Sequence, residues 1–235
     1  MVKFSINDGL GVPYNTPKIS INSLIEFISA SDRRKLSIVR GQKSPSTLRV
    51  APYSTARAAI KNFIKSEYDL EQLVLAVLQL RNRDQSTNWK RQDVANSIDA
   101  LRHFTDMNFP SKVSKVKCTF AKSVIKDCYM DDVLIVVAPD FIMQWEIDGV
   151  RYIGAVKLRI SKKQLDYSSG RKAAALLAHY LETSVRHECE TVDYSHCLYV
   201  DVFAETIYPA PPNDTLYLEE ICKACDEYAK LWRAA

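Results

Sequence analysis

Asp140 and Lys157 are the residues whose types and spacing could do chemistry. Asp140 follows Pro139 within an apolar run that begins at Val133, and Lys157 lies in a second apolar run. The Asp148-Gly149 pair between the two runs is typical of the tight turn of a β-hairpin. The pattern therefore predicts antiparallel strands that carry an aspartate and a lysine. A metal-dependent phosphodiesterase would hold its ion in such a place.

Periodicity and capping residues predict the elements that must position this pair. We expect helices over Ile21–Ala30 (with Ser20 as cap), Ser54–Ser66, Leu70–Arg81, Asn88–Thr105 (capped at Ser86 or Thr87), Gly170–His187 and Leu216–Arg233. We expect strands over Val116–Lys122, Val133–Ile147, Val150–Ile160 and Cys197–Ile207, and a strand, loop and strand over Lys35–Val50. The helix over Leu70–Arg81 is so apolar that we expect it to be buried.

From Asn88 onward the predicted order is a helix, three strands, a helix, a strand and a last helix. This αβββαβ order resembles the core of the PD-(D/E)XK, or restriction-endonuclease-like, nuclease superfamily over roughly residues 88–208. Pro139-Asp140 matches the motif on the second core strand, and Ala155-Val156-Lys157 matches it on the third.

The resemblance implies an α/β (α+β) fold with a mixed sheet, an N-terminal helical region and a C-terminal helix. It also implies that Asp140 binds Mg²⁺ or Mn²⁺ and that Lys157 orients or activates the attacking water. A hard cation is held by carboxylate oxygens, lowers the pKa of bound water and neutralises the scissile phosphate. The implied reaction is hydrolysis of DNA, and less readily of RNA.

Position 155 departs from the family pattern, which has a second carboxylate two residues before the lysine. Alternate strand residues share a face, so Ala155 should point into the same cleft as Lys157, yet alanine cannot bind a cation. Three explanations stay open: a glutamate was replaced at this position, another carboxylate serves, or the domain is inactive and retains only binding. The candidate substitutes are Glu146, Asp148, Asp93 and Asp99. Glu146 is six residues along the strand from Asp140, about 20 Å, so Asp93 or Asp99 is the better substitute.

Four further residues are candidates for substrate contact. Gln164 and Tyr167 precede the predicted Gly170–His187 helix, and certain families of the superfamily carry a glutamine and a tyrosine near here. Arg171 and Lys172 start that helix, where a phosphate would also meet the helix N-terminus. A solvated polar face is the simpler interpretation of Arg171 and Lys172.

Composition sets the class of protein but not the partner. The 235 residues are 47% hydrophobic and 26% charged, and a net charge of +4 does not by itself indicate nucleic acid. No apolar run approaches the ~20 residues of a membrane helix, and the first residues lack the apolar core of a signal peptide. We therefore expect a cytoplasmic protein that does not contact a membrane.

The cysteines are better explained as core residues than as ligands. Cys222 and Cys225 fall at helical spacing with Ile221 and Trp232. Together with Cys189 and Cys197 they match no standard zinc or iron–sulfur ligand pattern.

These observations lead to two hypotheses and one fallback. The first is a metal-dependent nuclease with an incomplete site, in residues 87–235, preceded by a mainly helical region in residues 1–86; the two could form one compact domain. By analogy, such domains act in antiviral defence or mobile elements and work with a protein partner or further copies of themselves. The second is an inactive domain of the same fold that binds nucleic acid or a partner protein through its N-terminal helices. The fallback is an unrelated interaction protein.

Overall fold

The computed structural model describes residues 16–44, 52–107, 119–121 and 124–235. Within those ranges the chain forms a mixed α/β structure with two mixed sheets. The helices are α1 (Ile21–Ile28), α2 (Asp32–Lys43), α3 (Ser54–Lys65), α4 (Glu71–Arg81), α5 (Asn88–Asp106), α6 (Tyr167–Tyr180) and α7 (Thr215–Ala234). A π-helical turn, Leu181–Val185, continues α6.

The strands are β1 (Lys18–Ser20), β2 (Thr119–Ala121), β3 (Asp127–Met130), β4 (Val133–Val136), β5 (Phe141–Ile147), β6 (Val150–Arg159), β7 (Glu190–Asp201) and β8 (Thr206–Pro209). The small sheet has the order β1-β4-β3, and the large sheet has the order β2-β5-β6-β7-β8. In the large sheet β5 and β6 are antiparallel, whereas β6 and β7 are parallel and are connected through α6.

The large sheet is the middle layer between two groups of helices. Ile142, Ala155 and Cys197 point into a cluster formed with α1, α2, α6, α7 and the small sheet. Their neighbours, such as Phe141 and Val156, point into a second cluster formed with α3, α4 and α5. Both faces are thus apolar, as expected for a sheet that is covered on two sides.

The structure confirms most of the predicted helices and the hairpin. Ser20 caps α1 through its Oγ, which accepts from Ser23 N at 3.3 Å, and Thr87 caps α5 in the same way by accepting from Lys90 N. Asp148 and Gly149 form the predicted turn, both with positive φ angles of 50° and 78°. Residues 116–118 and 122 of the predicted strand before it lie outside the described residues.

Two strand predictions before the Asp148-Gly149 turn differ from the structure, one of them only in part. Lys35–Lys43 belongs to helix α2 rather than to a strand, and residues 45–50 lie outside the described residues. Val133–Ile147 is divided between the two sheets, with β4 and β5 separated by a break at residues 137–140. Pro139 has no N–H to donate to a neighbouring strand, and Ala138 has a left-handed φ of 42°, so the strand cannot continue through them.

Three further predictions need correction in the second half of the chain and in α4. The helix predicted to start at Gly170 begins at Tyr167 instead, after its cap Asp166, so Tyr167 is part of α6. The strand predicted over Cys197–Ile207 begins earlier and ends at Asp201, after which a turn leads into β8. Helix α4 is buried on one face only, as described below. None of the helices in the described part of the chain has the length and apolar character needed to cross a membrane.

Candidate functional site

Asp140 lies at the break that separates the two sheets, directly before β5. Its N–H donates to the Val156 carbonyl at 2.8 Å, so the residue is fixed where the pairing of β5 with β6 begins. The Asp140 side chain is only 5% exposed. A carboxylate this deeply buried needs hydrogen bonds and a compensating cation.

Arg57 of α3 supplies that cation. Its Nη1 donates to both oxygens of Asp140, at 3.0 and 2.8 Å, and to the Leu158 carbonyl at 2.9 Å. The Leu158 N–H adds a further bond to Asp140 Oδ2 at 2.8 Å. Lys61, one turn further along α3, places its Nζ 3.8 Å from Asp140 Oδ1. The carboxylate is therefore surrounded by protein donors.

Lys157 completes the cluster from β6. Its Nζ donates to the Ala138 carbonyl at 2.6 Å, across the same break in the chain. Burial, reinforced by the charges of Arg57 and Lys61, lowers the pKa of Lys157 to about 8, although the charge of Asp140 acts in the opposite direction. Asp140 and Lys157 are thus brought together as predicted, but in the company of two further cations.

The residues of this cluster do not fit a bound magnesium ion. Arg57 and the Leu158 N–H occupy the Asp140 oxygens, and Ala155 is fully buried between its strand neighbours Ile142 and Cys197. A glutamate at position 155 would carry its carboxylate into the apolar cluster. Across residues 16–44, 52–107, 119–121 and 124–235, no group of three or more His, Cys, Asp or Glu side chains could hold a metal ion.

The carboxylates considered as substitutes pair with other cations or lie in the hairpin turn. Asp93 lies 3.9 Å from Arg83, Asp99 lies 3.3 Å from Lys162, and Glu146 lies 3.6 Å from Arg151. Asp148 lies in the turn of the hairpin, at the other end of β5 from Asp140. None of these four carboxylates therefore lies beside Asp140 as a second metal ligand.

A polar cleft of about 280 Å³ opens beside Arg57, at the ends of β6 and β7. Its lining includes Glu26 and Asn22 of α1, Arg57, Arg159, Lys163 and Gln164. Arg159 is fixed by Asp201 at 2.5 Å and by the Lys163 carbonyl at 2.6 Å. Glu26 of the cleft lining accepts hydrogen bonds from both Arg34 and Lys163.

The four predicted substrate contacts are dispersed. Gln164 lines the cleft. Tyr167 is 68% exposed and contacts the Tyr208 ring instead. Arg171 donates to the Pro209 carbonyl at 2.6 Å, and Lys172 pairs with Glu220 of α7 at 2.8 Å. These last two residues join α6 to its neighbours.

Arg57 and Lys61 are the site residues that the sequence did not reveal. Their spacing of four residues predicts that both lie on one face of α3. Arg57 and Asp140 are 83 positions apart, so no local signal indicates that the two side chains meet.

In comparisons with known proteins, no family model and no curated protein matches the chain. The chemistry of the site has to be judged from its own residues. Arg57, Lys61 and Lys157 bring three cationic side chains into one sheltered position around the Asp140 carboxylate. Such a position attracts anions rather than metal ions.

Proposed function

We propose that this chain is a non-catalytic domain with a PD-(D/E)XK nuclease-like core that binds nucleic acid through its phosphates. The order of elements supports the family. Leaving the small sheet aside, α5 is followed by the antiparallel strands β2, β5 and β6, then by α6 and by β7 parallel to β6. This is the αβββαβ order of the resemblance.

The observation that carries the proposal is the Arg57 guanidinium on the Asp140 carboxylate. In the nuclease family a divalent cation would contact this aspartate, whereas here an arginine donates to both of its oxygens. Ala155 contributes no second acid. Metal-dependent hydrolysis of DNA, which the resemblance implies, is therefore not what we propose for this chain.

The proposal of phosphate binding rests on the cations that converge at this position. Arginine and lysine neutralise phosphates and release the counterions that surround a nucleic acid, so a cation-rich cleft gives salt-dependent affinity. Arg57, Lys61 and Lys157 form the inner part of this surface. Lys163 lines the adjacent cleft, where it and Arg34 donate to Glu26. We take DNA as the first ligand, with RNA second, because the family resemblance points to DNA.

Fluorescence anisotropy with a short labelled duplex in EDTA tests this proposal. Lys61→Glu should weaken DNA binding by roughly tenfold or more and lower the salt dependence by about one phosphate contact. Lys230→Glu is the matched control, because it makes the same charge change at an exposed position of α7. Equal losses in both variants would reduce the effect to net charge and contradict a specific site, as would the absence of binding to DNA and RNA alike.

A further inference from the structure

The outer face of α4 exposes large apolar side chains along its whole length. Leu70, Val74, Leu75 and Leu78 are between 44% and 58% exposed. The opposite face, with Leu73, Ala76 and Leu80, is buried in the cluster formed with α3 and α5. The helix therefore lacks the polar outer face that an amphipathic surface helix usually has.

Leu70, Val74 and Leu78 recur every fourth residue, so they form one continuous ridge, with Leu75 beside it. Single exposed leucines are ordinary, but a contiguous apolar ridge on a surface helix is typical of an interaction site. Ridges of this spacing pack against the equivalent ridge of another helix.

The charges at the two ends of α4 identify the second helix. Glu71 lies in its first turn and Arg81 in its last, and both are exposed. Residues 71 and 81 are equally far from Ala76, and so are residues 74 and 78. A two-fold axis on the outer face of α4, at the height of Ala76 along the helix, therefore brings Val74 near Leu78 of a second chain and Glu71 near its Arg81.

We propose that α4 packs antiparallel against α4 of a second copy of this chain to form a symmetric dimer. In a two-fold interface the same surface of each copy must fit itself. The apolar ridge meets this condition, and so do Glu71 and Arg81, whose charges are opposite. Antiparallel packing also places the positive end of each helix dipole beside the negative end of the other.

The size of the ridge limits the strength of the dimer. Eleven residues of helix span about 16 Å, so the buried area belongs to the small class of interfaces, below ~1,200 Å² in total. We expect a dimer dissociation constant on the order of 1–100 µM, because the free energy gained in a small interface only slightly exceeds the entropy lost on association.

Analytical ultracentrifugation of the full chain over a range of concentrations tests the proposal. Leu78→Glu should raise the dimer dissociation constant by at least about tenfold, because it buries a charge where the ridge faces Val74 of the second chain. Leu216→Glu is the control, since Leu216 is a leucine in the first turn of α7 that is 74% exposed. A wild-type chain that stays monomeric, or a dimer that Leu78→Glu does not weaken, would overturn the proposal.

A charge exchange distinguishes a second copy from any other occupant. Glu71→Arg alone and Arg81→Glu alone should each weaken self-association, because like charges would then face each other. An equimolar mixture of the two variants should restore the dimer, since each arginine again faces a glutamate. If mixing restores nothing, the antiparallel arrangement is wrong.

Hydrogen exchange of the α4 amides tests independently whether a second copy covers this helix. The proposal predicts protection that increases with protein concentration. Equal protection at low and high concentration would mean that no second copy covers α4, and the proposal would fail.

Discussion

At the scale of single residues, Asp140 depends on Arg57 for its neutralising charge, because its carboxylate is almost completely buried. Arg57→Met should lower the free energy of unfolding by about 1–3 kcal/mol, since a buried carboxylate loses its charged donor while Lys61 stays 3.8 Å away. Asp140→Asn in the Arg57→Met background should cost less than Asp140→Asn alone. Urea unfolding of the two single variants and the double variant measures this coupling, and strictly additive losses would contradict it.

Lys157 makes stability depend on pH in a defined direction. Its pKa is about 8 in the folded chain, compared with an ordinary value of 10.5, because burial disfavours the charged form. Between these two pH values the unfolded chain binds more protons than the folded chain, so this residue makes stability rise with pH.

Lys157→Met should therefore stabilise the protein below pH 8, by on the order of 1–3 kcal/mol after the loss of the bond to Ala138. The advantage of the variant should shrink as the pH rises from about 8 to 10.5. Urea unfolding of both proteins across this range gives the difference curve. A difference that grows with pH would mean that the lysine is stabilised as a cation instead.

At the scale of elements, the contact between α6 and β8 leaves no room for a side chain at Gly170. A Cβ built at this residue would lie 2.5 Å from the Tyr208 ring, whereas one built at Gly41 of α2 meets no atom within 4 Å. Gly170→Ala should cost roughly 1–3 kcal/mol through overpacking, and Gly41→Ala should be neutral or add up to about 1 kcal/mol. Thermal or urea unfolding compares the two, and a Gly170→Ala protein as stable as the wild type would show that β8 yields easily.

The elements that could be predicted are those with strong local signals. The hairpin follows from Asp148-Gly149, and the starts of α1 and α5 follow from Ser20 and Thr87, because turns and caps depend on neighbouring residues alone. The prediction of one strand over Val133–Ile147 neglects Pro139, because a proline cannot lie inside a central strand.

Ile38 and Val39 locally favour a strand, whereas the structure has both in helix α2. Its ends carry the opposite signal, with Asp32 in the first turn and Arg40 and Lys43 in the last, which complements the helix dipole. Tertiary packing then decides the outcome, since both Ile38 and Val39 are buried against α1, α7 and the small sheet. Propensity alone could not weigh these contributions.

At the scale of the whole molecule, the site is assembled from elements that are distant in the sequence. The large sheet lies between two helical groups, and α3 on one of them brings Arg57 and Lys61 to the start of β5. Periodicity predicts which face of a helix or strand is apolar, but it does not tell which distant elements meet. The proximity of Asp140 and Lys157 therefore follows from the hairpin pattern, whereas the hydrogen bonds from Arg57 to Asp140 do not follow from any local pattern.

The most direct test follows anisotropy and strand integrity of the same labelled DNA duplex in one titration, with Mg²⁺, with Mn²⁺ and with EDTA. We expect the duplex to bind with similar affinity in all three and to remain uncut, because the proposed binding of phosphates by Arg57, Lys61 and Lys157 needs no metal ion. Cleavage that requires the metal and disappears in Asp140→Asn would contradict this, and would show that Arg57 gives way to a catalytic ion.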